Sequence, residues 1–96
     1  MITVTIEKNK IKASGHAGTA PKGQDLVCAA FTMLCHSLIE SFRKLTADSF
    51  IYKIDSGSFY FECALPSGQG ELLINSYIAG VQLLAASYPE YITVQA

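Results

Sequence analysis

No proline or glycine interrupts the chain from Leu26 to Leu45, and along that stretch Val27, Phe31, Leu34, Leu38, Phe42 and Leu45 recur at steps of three and four. That is the period of an α-helix with an apolar stripe, and it predicts a helix from about Leu26 to Lys44. Leu26, Met33 and Ile39 lie off the stripe, so the helix is expected to be buried on more than one side. A long buried helix needs a second layer to cover it, and the flanking sequence must supply that layer. Asp25 stands just before the apolar run, where a side-chain oxygen caps free backbone N–H groups.

The covering layer reads as strands. Ile2, Val4 and Ile6 alternate with Thr3 and Thr5, and after the polar turn Lys8-Asn9-Lys10 the alternation resumes at Ile11 and Ala13, an opening hairpin. Ser14 to Gln24 is rich in glycine and small residues and reads as the loop between hairpin and helix. Phe50–Asp55 and Ser58–Leu65 are aromatic and β-branched runs joined by Ser56-Gly57, a second hairpin. Glu71–Tyr88 carries Ile74, Tyr77, Ile78, Val81, Leu84, Ala85 and Tyr88 at helical spacing and stops at Pro89. Tyr91–Val94 alternates again as a last strand. The order ββαββαβ predicts an α+β fold, a mixed or antiparallel sheet of about five strands with two helices on one face. With 96 residues, half of them hydrophobic, residues 1–96 form a single domain whose core requires no metal or disulfide.

Composition narrows the function classes. The formal net charge is −1 and the seven basic residues are scattered, which argues against a nucleic-acid surface. The N-terminus lacks the apolar core of a secretion signal, and the longest apolar candidate for a membrane span, Ile78 to Ala86, is interrupted by Gly80 and Gln82. Three widely spaced cysteines make no disulfide framework and suit a reducing compartment, so a cytoplasmic location is expected. No glycine-rich loop is followed by a Lys-Ser or Lys-Thr pair, and no carboxylates are paired for glycosidase-type chemistry. Cys28 and Cys35 are seven residues apart, about 10 Å along a helix, too far to share a zinc ion, and no cofactor is indicated. Cys35 and Cys63 read as core, and His36 as a surface or interface residue.

One combination carries chemistry. A thiolate attacks carbonyls, and a cysteine in the first turn of a helix has that form favoured by unpaired N–H groups. Cys28 holds that place if Asp25 is the cap. Its base must come within about 3 Å. His36 lies about 12 Å further along the same helix, whereas His16, flanked by Gly15 and followed by Gly18, ends the second strand on a loop long enough to return. Asp25 could orient His16 or cap the helix, and Cys28 has an alternative reading as a small packed side chain.

Gly15-His16-Ala17-Gly18 followed by Gly23-Gln24-Asp25-Leu26-Val27-Cys28-Ala29-Ala30 resembles the signature of the bacterial ribosomal-processing cysteine proteases, the Prp family. The resemblance covers essentially the whole chain and is strongest over residues 14–32. It implies a homodimeric cysteine endopeptidase that removes a short N-terminal extension from large-ribosomal-subunit protein twenty-seven, cutting after an aromatic residue. It makes Cys28 the nucleophile and His16 the general base, with Asp25 and Thr32 in support; many relatives carry serine where this chain has Thr32. The substrate-binding loop of the family corresponds to residues 17–24, with Gly18, Pro21, Lys22 and Gly23. The contrasting expectation is a ribosome-associated module that binds a peptide through its glycine loop without catalysis, with Cys28 merely packed.

Overall fold

The computed structural model describes residues 1–15 and 22–96, with the backbone alone for 22–25. The elements are β1 (Ile2–Glu7), β2 (Lys10–Ser14), α1 (Lys22–Leu45), β3 (Ile51–Asp55), β4 (Ser58–Glu62), α2 (Gly68–Ser87) and β5 (Ile92–Gln95). They form one mixed five-stranded sheet in the order β3-β4-β2-β1-β5, antiparallel except where β5 lies parallel to β1. Two tight turns set the antiparallel register. Asn9 takes a positive φ of 60° between β1 and β2, and Gly57 a φ of 79° between β3 and β4, the backbone that two-residue hairpin loops favour.

The register explains why both helices share one face. Val94, Val4, Ala13, Phe59 and Ile54 form one cross-strand row, while the next row is Gln95, Thr5, Lys12, Tyr60 and Lys53. Side chains alternate across a strand, so the first row faces the helices and the second faces outward. Against the apolar face pack Val27, Phe31, Cys35, Leu38, Ile39 and Phe42 of α1, with Ile74, Tyr77 and Val81 of α2. Phe42 is fully buried, its ring 4.9 Å from that of Phe61 and 5.4 Å from that of Phe50.

Two sequence expectations about α1 are corrected. The helix begins at Lys22, four residues before Leu26, so Asp25 belongs to its first turn and is not its cap. The apolar run marked where burial begins, and the helix extends beyond it through Lys22-Gly23-Gln24-Asp25. Nor is α1 buried on two sides: Leu26 and Met33 are each 66% exposed, because one sheet and one neighbouring helix cover a single broad face. Over Leu26–Leu45 the helix is also long and apolar enough to cross a membrane by length and composition, so the longest apolar candidate is this stretch and not Ile78–Ala86. Here its apolar face is the core of the domain.

α2 starts at Gly68, three residues before the expected Glu71, because Ser67 caps it: the Ser67 hydroxyl accepts the Gly70 N–H at 3.1 Å. Asp48, in the α1–β3 connection, accepts the Ser67 N–H at 2.9 Å and the Ser67 hydroxyl at 2.8 Å. A Cβ at Gly70 would collide with that Asp48 carboxylate oxygen, so the residue at 70 must be glycine for the arrangement to close. Asp48→Ala removes the acceptor of two hydrogen bonds and is expected to cost about 1–3 kcal/mol. Thermal unfolding followed by circular dichroism measures it; an unchanged melting temperature would mean the cap is held without Asp48.

Candidate active site

Cys28 is the seventh residue of α1, half-buried, and its side of the helix faces the end of the sheet. The stripe Cys28, Phe31, Thr32, Cys35 and His36, at helical steps of three and four, forms one wall of a cavity of about 740 Å³. The opposite wall is the β3–β4 turn, Asp55–Ser58 with Ile54 and Phe59 beside it, and Ile2, Ala13, Ser14 and Gly15 close the remaining side. The volume is that of a ligand cleft. Ile2, Ala13, Phe31, Ile54 and Phe59 make its floor apolar, and Ser14, Thr32, Ser56 and Ser58 are among the residues that line it.

Gly15 ties the turn to the edge of the cleft. Its N–H donates to the Gly57 carbonyl at 3.1 Å, and its φ of 104° is one that side-chain-bearing residues avoid. A Cβ there would run into the Met1 carbonyl oxygen and stand 3.3 Å from Ile2 Cα. The residue before His16 is therefore clamped by backbone on two sides.

The structure brings Cys28 and Thr32 to one cavity. His16, Gly18 and Pro21 lie outside the described residues, as do the side chains of Lys22 and Asp25; Gly23 stands in the first turn of α1. One electrostatic expectation is revised. Because α1 starts at Lys22, Cys28 sits in the second turn, where its N–H belongs to the internal ladder of the helix. That N–H is not one of the unpaired groups expected to favour the thiolate, and the terminal N–H groups belong to residues four and more positions earlier.

The other thiols have different surroundings. Cys35 reaches the cavity wall but is only 1% exposed, and it is hydrogen-bonded to the Tyr77 hydroxyl at 3.4 Å. Burial pushes its thiol up to about 12, with the Tyr77 hydrogen bond partly opposing the shift, so it stays protonated at neutral pH. Burial likewise raises the Tyr77 hydroxyl. Cys63 is fully buried, its thiol donating to the Ser49 carbonyl at 3.4 Å, and desolvation raises it too. Among the described residues no three His, Cys, Asp or Glu side chains gather to hold a metal.

His36 is exposed, as the sequence suggested, yet it lines the same cavity as Cys28. The signal was present in the sequence, since residues eight apart share a helix face, but only a partner wall turns a face into a cleft. The contributions of Ile2 and the β3–β4 turn had no local signal, because they reach the cleft through strand pairing.

A protein-family model described as cysteine protease Prp matches residues 1–93. The ribosomal processing cysteine protease Prp of Mycoplasma pneumoniae is 32% identical over 97 residues, covering 99% of this chain and 94% of that protein. Among solved structures, an essential ribosomal processing protease Prp from S. aureus with a covalently linked product peptide matches with a TM-score of 0.85 and 22% identity, over 99% of this chain and 98% of that one. The same S. aureus protease with a substrate peptide gives a TM-score of 0.83 and 20% identity at the same coverage. At these identities the structural matches speak for the shared fold.

Proposed function

The chain belongs to the Prp family of cysteine proteases, and from that premise we propose that it is a cytoplasmic endopeptidase that removes a short N-terminal extension from large-ribosomal-subunit protein twenty-seven. The observation that carries the reading is the position of Cys28. It combines partial exposure with a place on the cleft wall, while Cys35 and Cys63 are sealed.

In the reaction, His16 takes the Cys28 thiol proton and the thiolate attacks the scissile carbonyl. The leaving amine receives that proton from His16 as the C–N bond breaks, leaving the new N-terminal fragment as a thioester on Cys28. Water, deprotonated by His16, then attacks the thioester and the thiol reforms. The covalently held product peptide of the S. aureus relative is in keeping with such an intermediate. Thr32, one turn beyond Cys28 on the cleft wall, supplies a hydroxyl beside the reacting carbonyl. Asp25 orients His16, and Gly18, Pro21, Lys22 and Gly23 belong to the segment that holds the substrate. The apolar floor suits an aromatic side chain next to the cut, with no cofactor required.

A homodimer is supported by two uncovered apolar stripes, Leu26 and Met33 on α1 and Leu72 and Leu83 on α2, each residue 66–70% exposed. The cytoplasmic assignment is supported by three free thiols.

The test is a synthetic peptide spanning the extension and the mature start of that ribosomal protein, incubated with the protein and read by mass spectrometry. Cleavage at one bond is expected. An intact peptide that nevertheless binds would transfer the assignment to a non-catalytic module.

A further inference from the structure

Resting on the peptidase reading above, we propose that Tyr77, which stands behind the cleft on α2, determines specificity: paired with Cys35 it closes the inner end of the cleft, so that the site takes phenylalanine and rejects tyrosine at the residue whose carbonyl is attacked.

The inner end is defined by burial. Of the described lining residues Cys35 is the least exposed, at 1%, and Phe59 of the opposite wall is 4% exposed. Both rest on one side chain. The Tyr77 hydroxyl shares a hydrogen bond of 3.4 Å with the Cys35 sulfur, and the Tyr77 ring lies 6.2 Å from that of Phe59. Tyr77 itself is buried and is not among the residues that line the cleft, so the Cys35 thiol stands between its hydroxyl and the cleft.

The reach of a side chain supplies the rest. Seven residues separate Cys35 from Cys28, about 10 Å along α1. With its carbonyl about 3 Å from the Cys28 sulfur, an aromatic residue whose side chain runs along the cleft brings the far end of its ring to Cys35. A phenylalanine ends there in carbon and meets a weakly polar sulfur, which suits it. A tyrosine ends in a hydroxyl, which gives up its water and finds the thiol already bonded to Tyr77; a hydroxyl buried without a partner is penalised. The Tyr77 hydroxyl is thus a latent partner. A thiol is a weak donor and a weak acceptor, and a substrate phenol that reached Tyr77 would make the stronger bond.

The experiment measures kcat/KM for two cleavable peptides that differ only in Phe or Tyr at that residue, with the wild type, Cys35→Ala, Cys35→Ser and the double variant Cys35→Ala, Tyr77→Phe. Both peptides are measured on one preparation of each protein, so their ratio is independent of how much of a variant is folded. The wild type is expected to favour Phe by about tenfold. Cys35→Ala removes the sulfur and uncovers the Tyr77 hydroxyl, and the ratio falls to about one or inverts. Cys35→Ser keeps a partner on Tyr77 and keeps the preference for Phe. The double variant has the same added space without the hydroxyl, and the preference for Phe returns. Equal cleavage of the two peptides by the wild type overturns the proposal before any variant is made. A ratio unchanged in Cys35→Ala overturns it as well, and so does one that moves equally in Cys35→Ala and the double variant, which would report space alone. Binding of the same peptides to the four proteins with Cys28→Ala added, followed by fluorescence anisotropy, scores the ratio without cleavage. The expected pattern in binding, with no cleavage by the wild type, overturns the peptidase reading and leaves the role of Tyr77 standing.

Discussion

Cys28→Ala is expected to fold as the wild type does and to lose peptide cleavage by about 10⁴-fold or more, the scale on which removal of a covalent nucleophile acts. The side chain is half-buried and loses one sulfur atom at a cleft wall, so the melting temperature should move by only a few degrees. Alkylation gives an independent reading. Thiolates displace iodide from iodoacetamide, and under native conditions one adduct is expected on the wild type and none on Cys28→Ala. Cys35, with its thiol pushed up to about 12 and 1% exposure, and Cys63, sealed under the sheet, should react only after denaturation. Retention of substantial cleavage by Cys28→Ala would remove the thiol from the mechanism. Labelling of Cys35 in the native protein would show that α1 and α2 separate in solution.

Gly15→Ala carries the largest expected loss of stability. The added methyl meets the Met1 carbonyl oxygen, and alanine is strained at a φ of 104°. Together these effects should cost about 2–5 kcal/mol. For a domain of this size that lowers the melting temperature by more than about 10 °C. Relief requires the strand end to move, which displaces the residue that precedes His16, so kcat should fall by more than the folded fraction alone explains. Gly68→Ala is the control. A Cβ there meets nothing within 4 Å, and its melting temperature should stay within a few degrees of the wild type. Equal behaviour of the two variants would show that the clamp at Gly15 yields at little cost.

Much of this architecture was readable from local patterns. Alternation at Ile2–Ile6, the Ser56-Gly57 turn and the helical stripe through Phe42 each report one face of one element, and burial of that face is what fixes the element. Helix starts were read less well, for a physical reason. Apolar periodicity records packing, whereas Lys22–Asp25 and Gly68–Gly70 are held by backbone hydrogen bonds and, in α2, by the cap at Ser67. The extent of α1's burial was misjudged because Leu26 and Met33 are apolar without being covered, and a sequence does not show which apolar face lacks a neighbour. The candidate thiol was legible from its spacing to His16 and from the resemblance around it. The cleft was not, since its far wall comes from a hairpin about thirty residues later and from the first strand.

The parallel pairing of β1 with β5 has a consequence for the order of assembly. Ile2 lines the cleft and lies opposite Ile92, and its N–H is bonded to the Tyr91 carbonyl at 2.9 Å. The opening hairpin and α1 are available before the rest of the fold, but β1 gains its second neighbour only when β5, ninety residues after Ile2, has left the ribosome. Contacts of such long sequence separation form late and slowly. One side of the cleft is therefore fixed by a strand made long after Cys28, and a partly synthesised chain has its thiol before it has a finished place for a peptide to lie.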